Sequence, residues 1–308
     1  MRYQHPDLDR ITQFLHDFGM DLVKRTDTEV WFRGSGPDPY VYYARTGERK
    51  FLGGTFLVES WDDLVKASKM ETAGEIVPLS DAPGGGSMVT VLDPEGHPIN
   101  FIHGQEPAET VPAQEKLIVN YPEEKPRQKK FNRFAEGPAA VYKSAKLGHY
   151  GLCVNDFPRQ MQWYTQNFNF VPSDLLYVDD ATDSSSRRDV AIFAHIDRGA
   201  TLVDHHTIFL SQSTSSHVHH ASFEVHDVDS QQLGHRWLAA RGYESVWGVG
   251  RHVLGSQIFD YWWDPTGNMI EHYADGDLVD GDTAVGHGPA GDESLAVWGP
   301  EVPKWFLD

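Results

Sequence analysis

Apolar positions along this chain come in short strand-like runs, and one order of elements recurs four times. The opening stretch MRYQHPDLDRITQFLHDFGM reads as a strand followed by a helix. GGTFLVES runs into WDDLVKASKM, YGLCV into NDFPRQMQWYTQNFNF, and HHASFEV into DSQQLGHRWLAARG, each again a strand and then a helix. In the third unit Asn155 or Asp156 can cap the helix and Pro158 suits its first turn, while Gly242 is placed to stop the fourth helix. DPEGHPINF (93–101) and DPTGNMIEH (264–272) both set Asp-Pro-x-Gly between apolar runs, which predicts two hairpins at equivalent places. Residues 111–146 are rich in Pro, Lys and Glu and show no sustained period, so they read as a connection. The pattern therefore predicts a duplicated α+β protein whose sheets curl around a central site in each half.

Composition narrows the picture mainly by exclusion. With 308 residues the chain can build two ordinary cores, and a net charge of -19 argues against nucleic acid or anionic lipid as partners. No apolar run reaches the length of a membrane span, and the polar N-terminus does not resemble a signal peptide. The single cysteine, Cys153, lies in the apolar stretch YGLCV and reads as a buried structural thiol; its solitude fits a reducing, cytoplasmic setting.

The two halves disagree at a few positions that carry chemistry. On the repeat register His220 aligns with Gly53 and Glu271 with Asn100, and the counterpart of His149 falls just before Met1. The second half thus offers His, His and Glu where the first offers no transition-metal ligand. Strand alternation sorts the neighbours: if His220 points inward, His217 and His219 point away, and if Glu271 points inward, Ile270 and His272 do not. Two histidines and one carboxylate leave about three open positions on an octahedral metal, the ligand set of non-haem Fe(II) oxygenases. Spacing alone leaves other readings open. His217, His219 and His220 could form a surface metal-binding tract, DHHT (204–207) could be another, all could be solvated strand residues, and three such ligands also suit Zn(II) hydrolysis.

Three stretches, KLGHYGLCV, HHASFEV and GRHVLGSQIFDYWWDPTGNMIEHYADGD, together resemble the type I extradiol ring-cleavage dioxygenases of the vicinal oxygen chelate superfamily. The tail VWGPEVPKWF (297–306) is similar to the C-terminal segment of that family. The resemblance implies four βαβββ modules forming two domains, each a curled mixed-sheet barrel flanked by helices. It places a domain without metal at 1–110, a linker at 111–146, a metal-binding domain at 147–280 and a tail at 281–308. It implies that His149, His220 and Glu271 bind Fe(II), with Mn(II) the alternative for the same ligands. It implies that His206, in DHHTIFL, is the acid–base histidine, and that His252 and Tyr261 contact substrate and oxygen, donating hydrogen bonds to developing oxyanion character. The implied reaction is ring cleavage of a catechol-type substrate with O2, both oxygen atoms entering the product, by a self-associating enzyme. The alternatives are a metal-dependent glyoxalase-like isomerase or lyase and a non-catalytic aromatic-binding protein. The aromatic cluster Phe259, Tyr261, Trp262 and Trp263 could shape a ring pocket, although alternation turns two of the four away from it.

Overall fold

The computed structural model describes residues 1–110, 118–127, 137–140, 148–179 and 186–307. Of the expected connection at 111–146, the parts other than 118–127 and 137–140 lie outside the described residues.

Four βαβββ modules follow one another. The first runs β1 (Arg2–His5), α1 (Leu8–Asp17), β2 (Asp21–Arg25), β3 (Glu29–Arg33) and β4 (Tyr42–Thr46). The second is β5 (Lys50–Leu57), α2 (Trp61–Ala67), β6 (Val77–Pro78), β7 (Ser87–Leu92) and β8 (Pro98–His103). The third comprises β9 (Tyr150–Val154), α3 (Phe157–Asn167), β10 (Phe170–Asp179), β11 (Arg187–Ile196) and β13 (Ile208–Gln212), with the short β12 (Val203–Asp204) inserted before its last strand. The fourth is β14 (His217–Glu224), α4 (Val228–Ala240), β15 (Ser245–His252), β16 (Ile258–Trp263) and β17 (Met269–Ala274). The chain ends with β18 (Leu278–Val279), β19 (Gly286–Pro289) and β20 (Ala296–Trp298). None of the helices among the described residues is long and apolar enough to cross a membrane.

Each half forms one mixed sheet of two modules joined through their first strands. The orders are β2-β3-β4-β1-β5-β8-β7-β6 and β19-β10-β11-β13-β9-β14-β17-β16-β15-β20. Within a module the first strand pairs in parallel with the last, as β14 does with β17; between modules the first strands pair antiparallel, as β9 does with β14. This is the α+β architecture with curled mixed sheets that the sequence predicts.

Local chemistry explains the elements. Asp156, not Asn155, caps α3 by accepting from the Arg159 N–H at 3.2 Å. Gly242 ends α4 with φ +80° and donates to the Ala239 carbonyl. The two Asp-Pro-x-Gly turns match bond for bond: Asp93 N to His97 O and Gly96 N to Asp93 O in one, Asp264 N to Asn268 O and Gly267 N to Asp264 O in the other.

Each turn also grips the opposite half. The Glu95 carboxylate accepts from the backbone N–H groups of Asn155 and Asp156 at 2.7–3.0 Å, at the start of α3, where the helix dipole favours an anion. In return, Thr266 of the other turn meets Nδ1 of the buried His5 at 2.8 Å, and Asn268 accepts from Arg49 at 3.0 Å. His272 donates to the Phe18 carbonyl at 2.7 Å and stacks on the Phe18 ring, with 3.6 Å between ring centroids. Hydrogen bonds to a charged group contribute about 1.5–3 kcal/mol, so Glu95→Ala is expected to lower stability by about that much. Thermal and denaturant unfolding check this, and an unchanged midpoint would remove Glu95 as a clamp between the halves.

Candidate metal centre

Strand register brings the first two candidate residues together. Ser222 of β14 lies opposite Glu271 of β17, and His220 stands two residues back on β14, so His220 and Glu271 share a face. His149 immediately precedes β9, whose Gly151 lies opposite His220. Gly151 is needed here, because a Cβ would sit 2.9 Å from Cε1 of His220 and 2.8 Å from the Phe209 ring. His149 Nε2 comes within 3.1 Å of Glu271 Oε2, and His220 Nε2 within 3.7 Å of the same oxygen. One ligand atom from each of the three residues lies within 4.8 Å of the others, and all three side chains are buried.

These atoms lack the partners that buried polar groups normally have. Both Glu271 oxygens and His220 Nε2 are without a hydrogen-bond partner. Burial pushes the Glu271 carboxyl up, but the His149 ring beside it, with His252 beyond, brings it below its ordinary value, so the group is a carboxylate. Burial holds His220 well below its usual value and hence neutral, with His219 and His149 adding to the effect. A buried carboxylate facing unprotonated imidazole nitrogen is unfavourable alone and favourable around a cation. The residues therefore fit a divalent metal, and the nitrogen and oxygen donors suit Fe(II), Mn(II) or Zn(II).

The corresponding place in the first half is closed. Thr55 lies opposite Asn100, just as Ser222 lies opposite Glu271, and Gly53 stands where His220 does. Asn100 donates to the Leu52 and Gly54 carbonyls at 2.9 and 3.1 Å and accepts from Thr90 at 2.6 Å, so both its N–H groups are used and its oxygen is already engaged. Gly53 has φ +104°, and a Cβ there would meet the Asn100 amide at 2.5 Å. A histidine has no room at this position.

His206, His252 and Tyr261 surround the triad. The His206 ring lies 4.0 Å from that of His149, and burial, with the neighbouring histidines His149 and His205, holds it well below its usual value. Asp174 Oδ2 lies 2.6 Å from His205 Nε2, and His205 Nδ1 lies 3.1 Å from His206 Nδ1. A carboxylate only accepts, so His205 Nε2–H points at Asp174, and where His205 Nδ1 bears a lone pair it accepts from His206 Nδ1–H. His206 Nε2 is then a free base. His252 donates through Nδ1 to the Leu295 carbonyl at 2.7 Å, which leaves its Nε2 to accept from the Tyr261 hydroxyl at 3.0 Å. The expected hydrogen-bond donation by His252 therefore requires that Nε2 first take up a proton; in this state Tyr261 is the donor. Burial and the Glu271 charge raise Tyr261 well above its usual value, so it keeps its proton.

Two expectations about neighbouring histidines are corrected. His219 does not point away. The β14 pairing with β9 breaks register between Val218 and His220, and such a bulge lets consecutive side chains share a face. His219 is 4% exposed, lines the same cavity as His220, and approaches its Nδ1 at 2.6 Å. Neither the 217–220 run nor DHHT is a surface tract, because His205, His206, His219 and His220 are all buried; only His217 is partly exposed, turned to the Ser215 carbonyl. The alternation of 259–263 is regular. Phe259 packs against His252 and Tyr261 lines the cavity, whereas Trp262 lies against His235 on the other face. Asp174, His205, His219 and the carbonyls of Leu295 and Phe306 are contributions that strand periodicity did not single out. The repeated His-His dipeptide was the one visible signal.

The comparisons with known proteins agree with this architecture. The family model for the Glyoxalase/Bleomycin resistance protein/Dioxygenase superfamily matches residues 2–101 and 146–272. The chain is 36% identical to Metapyrocatechase 2 of Cupriavidus necator over 166 residues, 53% of this chain and 47% of that protein, so it spans about half the length of this curated relative. Among solved structures, the Mn(II)-bound glyoxalase from Novosphingobium aromaticivorans superposes with a TM-score of 0.77 at 20% identity, covering 100% of this chain and 92% of that one. Homoprotocatechuate 2,3-dioxygenase from Arthrobacter globiformis superposes with a TM-score of 0.78 at 19% identity, covering 100% and 89%. At these identities the likeness is one of fold, and it spans two different chemistries. By its fold, and by a family match that runs through both halves, the chain belongs to the glyoxalase, bleomycin resistance protein and dioxygenase superfamily.

Proposed function

We propose that the protein is an extradiol dioxygenase that cleaves a catechol-type ring with O2, using a metal held by His149, His220 and Glu271. The observation that carries this reading is the buried, unpartnered His-His-Glu cluster next to a neutral histidine with a free Nε2. The relative named a metapyrocatechase supports it. When bound, Fe(II) (or Mn(II) on the same ligands) would supply adjacent open positions for two ring oxygens and O2.

The chain's own residues supply the proton handling and the enclosure. A catechol hydroxyl must lose a proton on binding, and His206 Nε2 is placed to take it. The proton on His206 Nδ1 points at His205, which is in turn held by Asp174, so the imidazolium that forms is oriented and stabilised. His206 returns that proton to an oxygen derived from O2 as the O–O bond breaks, which leaves its Nε2 unprotonated for the next substrate. Tyr261 O–H, aimed at His252 Nε2 in the resting site, can redirect its hydrogen bond to an oxygen that gains charge. Both Glu271 and His149 lie too close to the metal position to serve as the mobile base.

The cavity also speaks to the substrate. Phe193, Leu254, Leu295, Phe306 and Leu307 form its apolar walls, and among the described residues no Lys or Arg lines it. A catechol bearing an alkyl or aryl group would bury that group well, whereas a carboxylate would find no counter-charge.

Three outcomes test this reading. Addition of an alkylcatechol to Fe(II)-loaded protein should consume one O2 per ring and give a yellow ring-opened product; metal-dependent isomerisation of a thiol adduct without O2 uptake would favour the glyoxalase-like alternative. His206→Ala should retain metal while kcat falls by about 10²–10⁴-fold, measured with an oxygen electrode beside metal analysis, and wild-type turnover would sink the assignment. A ring carboxylate should lower kcat/KM by at least about 100-fold relative to an alkyl substituent, and equal values would remove the apolar-pocket argument.

A further inference from the structure

The C-terminal tail reaches across the candidate metal centre and touches it through two backbone carbonyls. Strand β20 pairs with the end of β15, setting Ala296 opposite His252. The Leu295 carbonyl accepts from His252 Nδ1 at 2.7 Å, and the Pro300 carbonyl accepts from the Trp247 indole at 3.0 Å. Further along, the Phe306 ring packs against His219, Trp247 and Tyr261 with centroids 4.8–5.1 Å apart, and the Phe306 carbonyl bonds His219 Nε2.

The direction of this last bond fixes a chain of protons. A carbonyl can only accept, so His219 carries a proton on Nε2. A histidine that binds metal keeps its one proton on the other ring nitrogen, which for a His220 ligating through the nitrogen facing Glu271 is Nδ1, 2.6 Å from His219 Nδ1. Only one proton fits between these two atoms, so His219 Nδ1 accepts it through a lone pair. His220 Nε2 then presents its own lone pair 3.7 Å from Glu271 Oε2, where it has no hydrogen-bond partner. This is the only neutral tautomer of His220 that can bind a metal through the nitrogen facing Glu271. Were the Phe306 carbonyl withdrawn, His219 could move its proton to Nδ1. It would then donate to His220 and drive the His220 proton onto Nε2, where it blocks ligation. Neither ring changes charge in this scheme; only the position of one proton on each ring differs.

We propose that the tail is part of the metal site: the Phe306 carbonyl, acting through His219, holds His220 in its metal-binding tautomer. His219 is thus a positioning residue, and docking of residues 301–307 is linked to metal affinity. The proposal rests on the reading of His149, His220 and Glu271 as metal ligands.

Metal affinity of the full chain, measured by chelator competition with Mn(II) and with Fe(II) under anaerobic conditions, tests it without reference to turnover. His219→Phe keeps the ring volume but removes both hydrogen bonds and should weaken binding by about 10–100-fold, the usual effect of removing a group that orients a ligand. His219→Gln can donate from its amide to Phe306 and accept from His220 through its carbonyl, so it should restore most of the affinity. A chain ending at Pro300 should lose as much as His219→Phe, and adding this truncation to His219→Phe should cost little more, because both remove one linkage. Circular dichroism and thermal unfolding of the metal-free forms control for folding; if the truncated chain does not fold, the contrast between Phe and Gln decides. Wild-type affinity in His219→Phe, equal losses in Phe and Gln, or fully additive losses on truncation would overturn the proposal. Failure of the wild type to bind metal would instead overturn the ligand assignment on which it rests.

Discussion

A carboxylate that is fully buried and hydrogen-bonded to nothing is the constraint around which the second half is arranged. Glu271 is completely excluded from solvent, and neither of its oxygens finds a donor. Left alone, such a group would cost several kcal/mol or take up a proton. The surroundings do not neutralise it: His149 approaches at 3.1 Å, and the carboxyl is held below its ordinary value. His206 and His220 are neutral, because burial, with the neighbouring histidines, holds both well below the usual histidine range. Charge and lone pairs thus converge on one point, and a cation at that point satisfies them together. Placing a proton-accepting His206 against this point, with apolar walls on the far side, gives the arrangement a catechol would need.

The first half shows what the same fold does without that requirement. Asn100 occupies the position of Glu271 and spends its amide on three hydrogen bonds, while Gly53 leaves no space for a ring. The two halves share module order, strand register and even the bonding of their Asp-Pro-x-Gly turns, and those turns clamp each half to the other. On the proposed reading one half builds the site and the other supports it. The support is physical, since Phe18 of the first half stacks on His272, the residue next to Glu271.

Much of this was legible in the sequence because it depends on short-range pattern. Strand–helix alternation, the Asp156 or Asn155 cap, the Gly242 stop and the paired hairpins all follow from local chemistry, and the repeat register singled out His220 and Glu271 by their mismatch with Gly53 and Asn100. What alternation could not give was the bulge at Val218–His220. A bulge is set by how one strand fits its neighbour, so period two placed His219 on the wrong face. The bonds of His205 to Asp174, of His219 to Phe306 and of His252 to Leu295 join residues 31, 87 and 43 positions apart, and no local rule finds such partners. The direction of the His252 proton was hidden for the same reason, because a distant carbonyl decides it.

The measurement that tests the account most directly is anomalous diffraction at the iron edge from crystals loaded with Fe(II) under anaerobic conditions. The account predicts a single strong peak per chain, bounded by His149, His220 and Glu271, with none beside Gly53 and Asn100. A peak held by His217 or His219 in place of His220, a second peak in the first half, or no peak at the triad would contradict it.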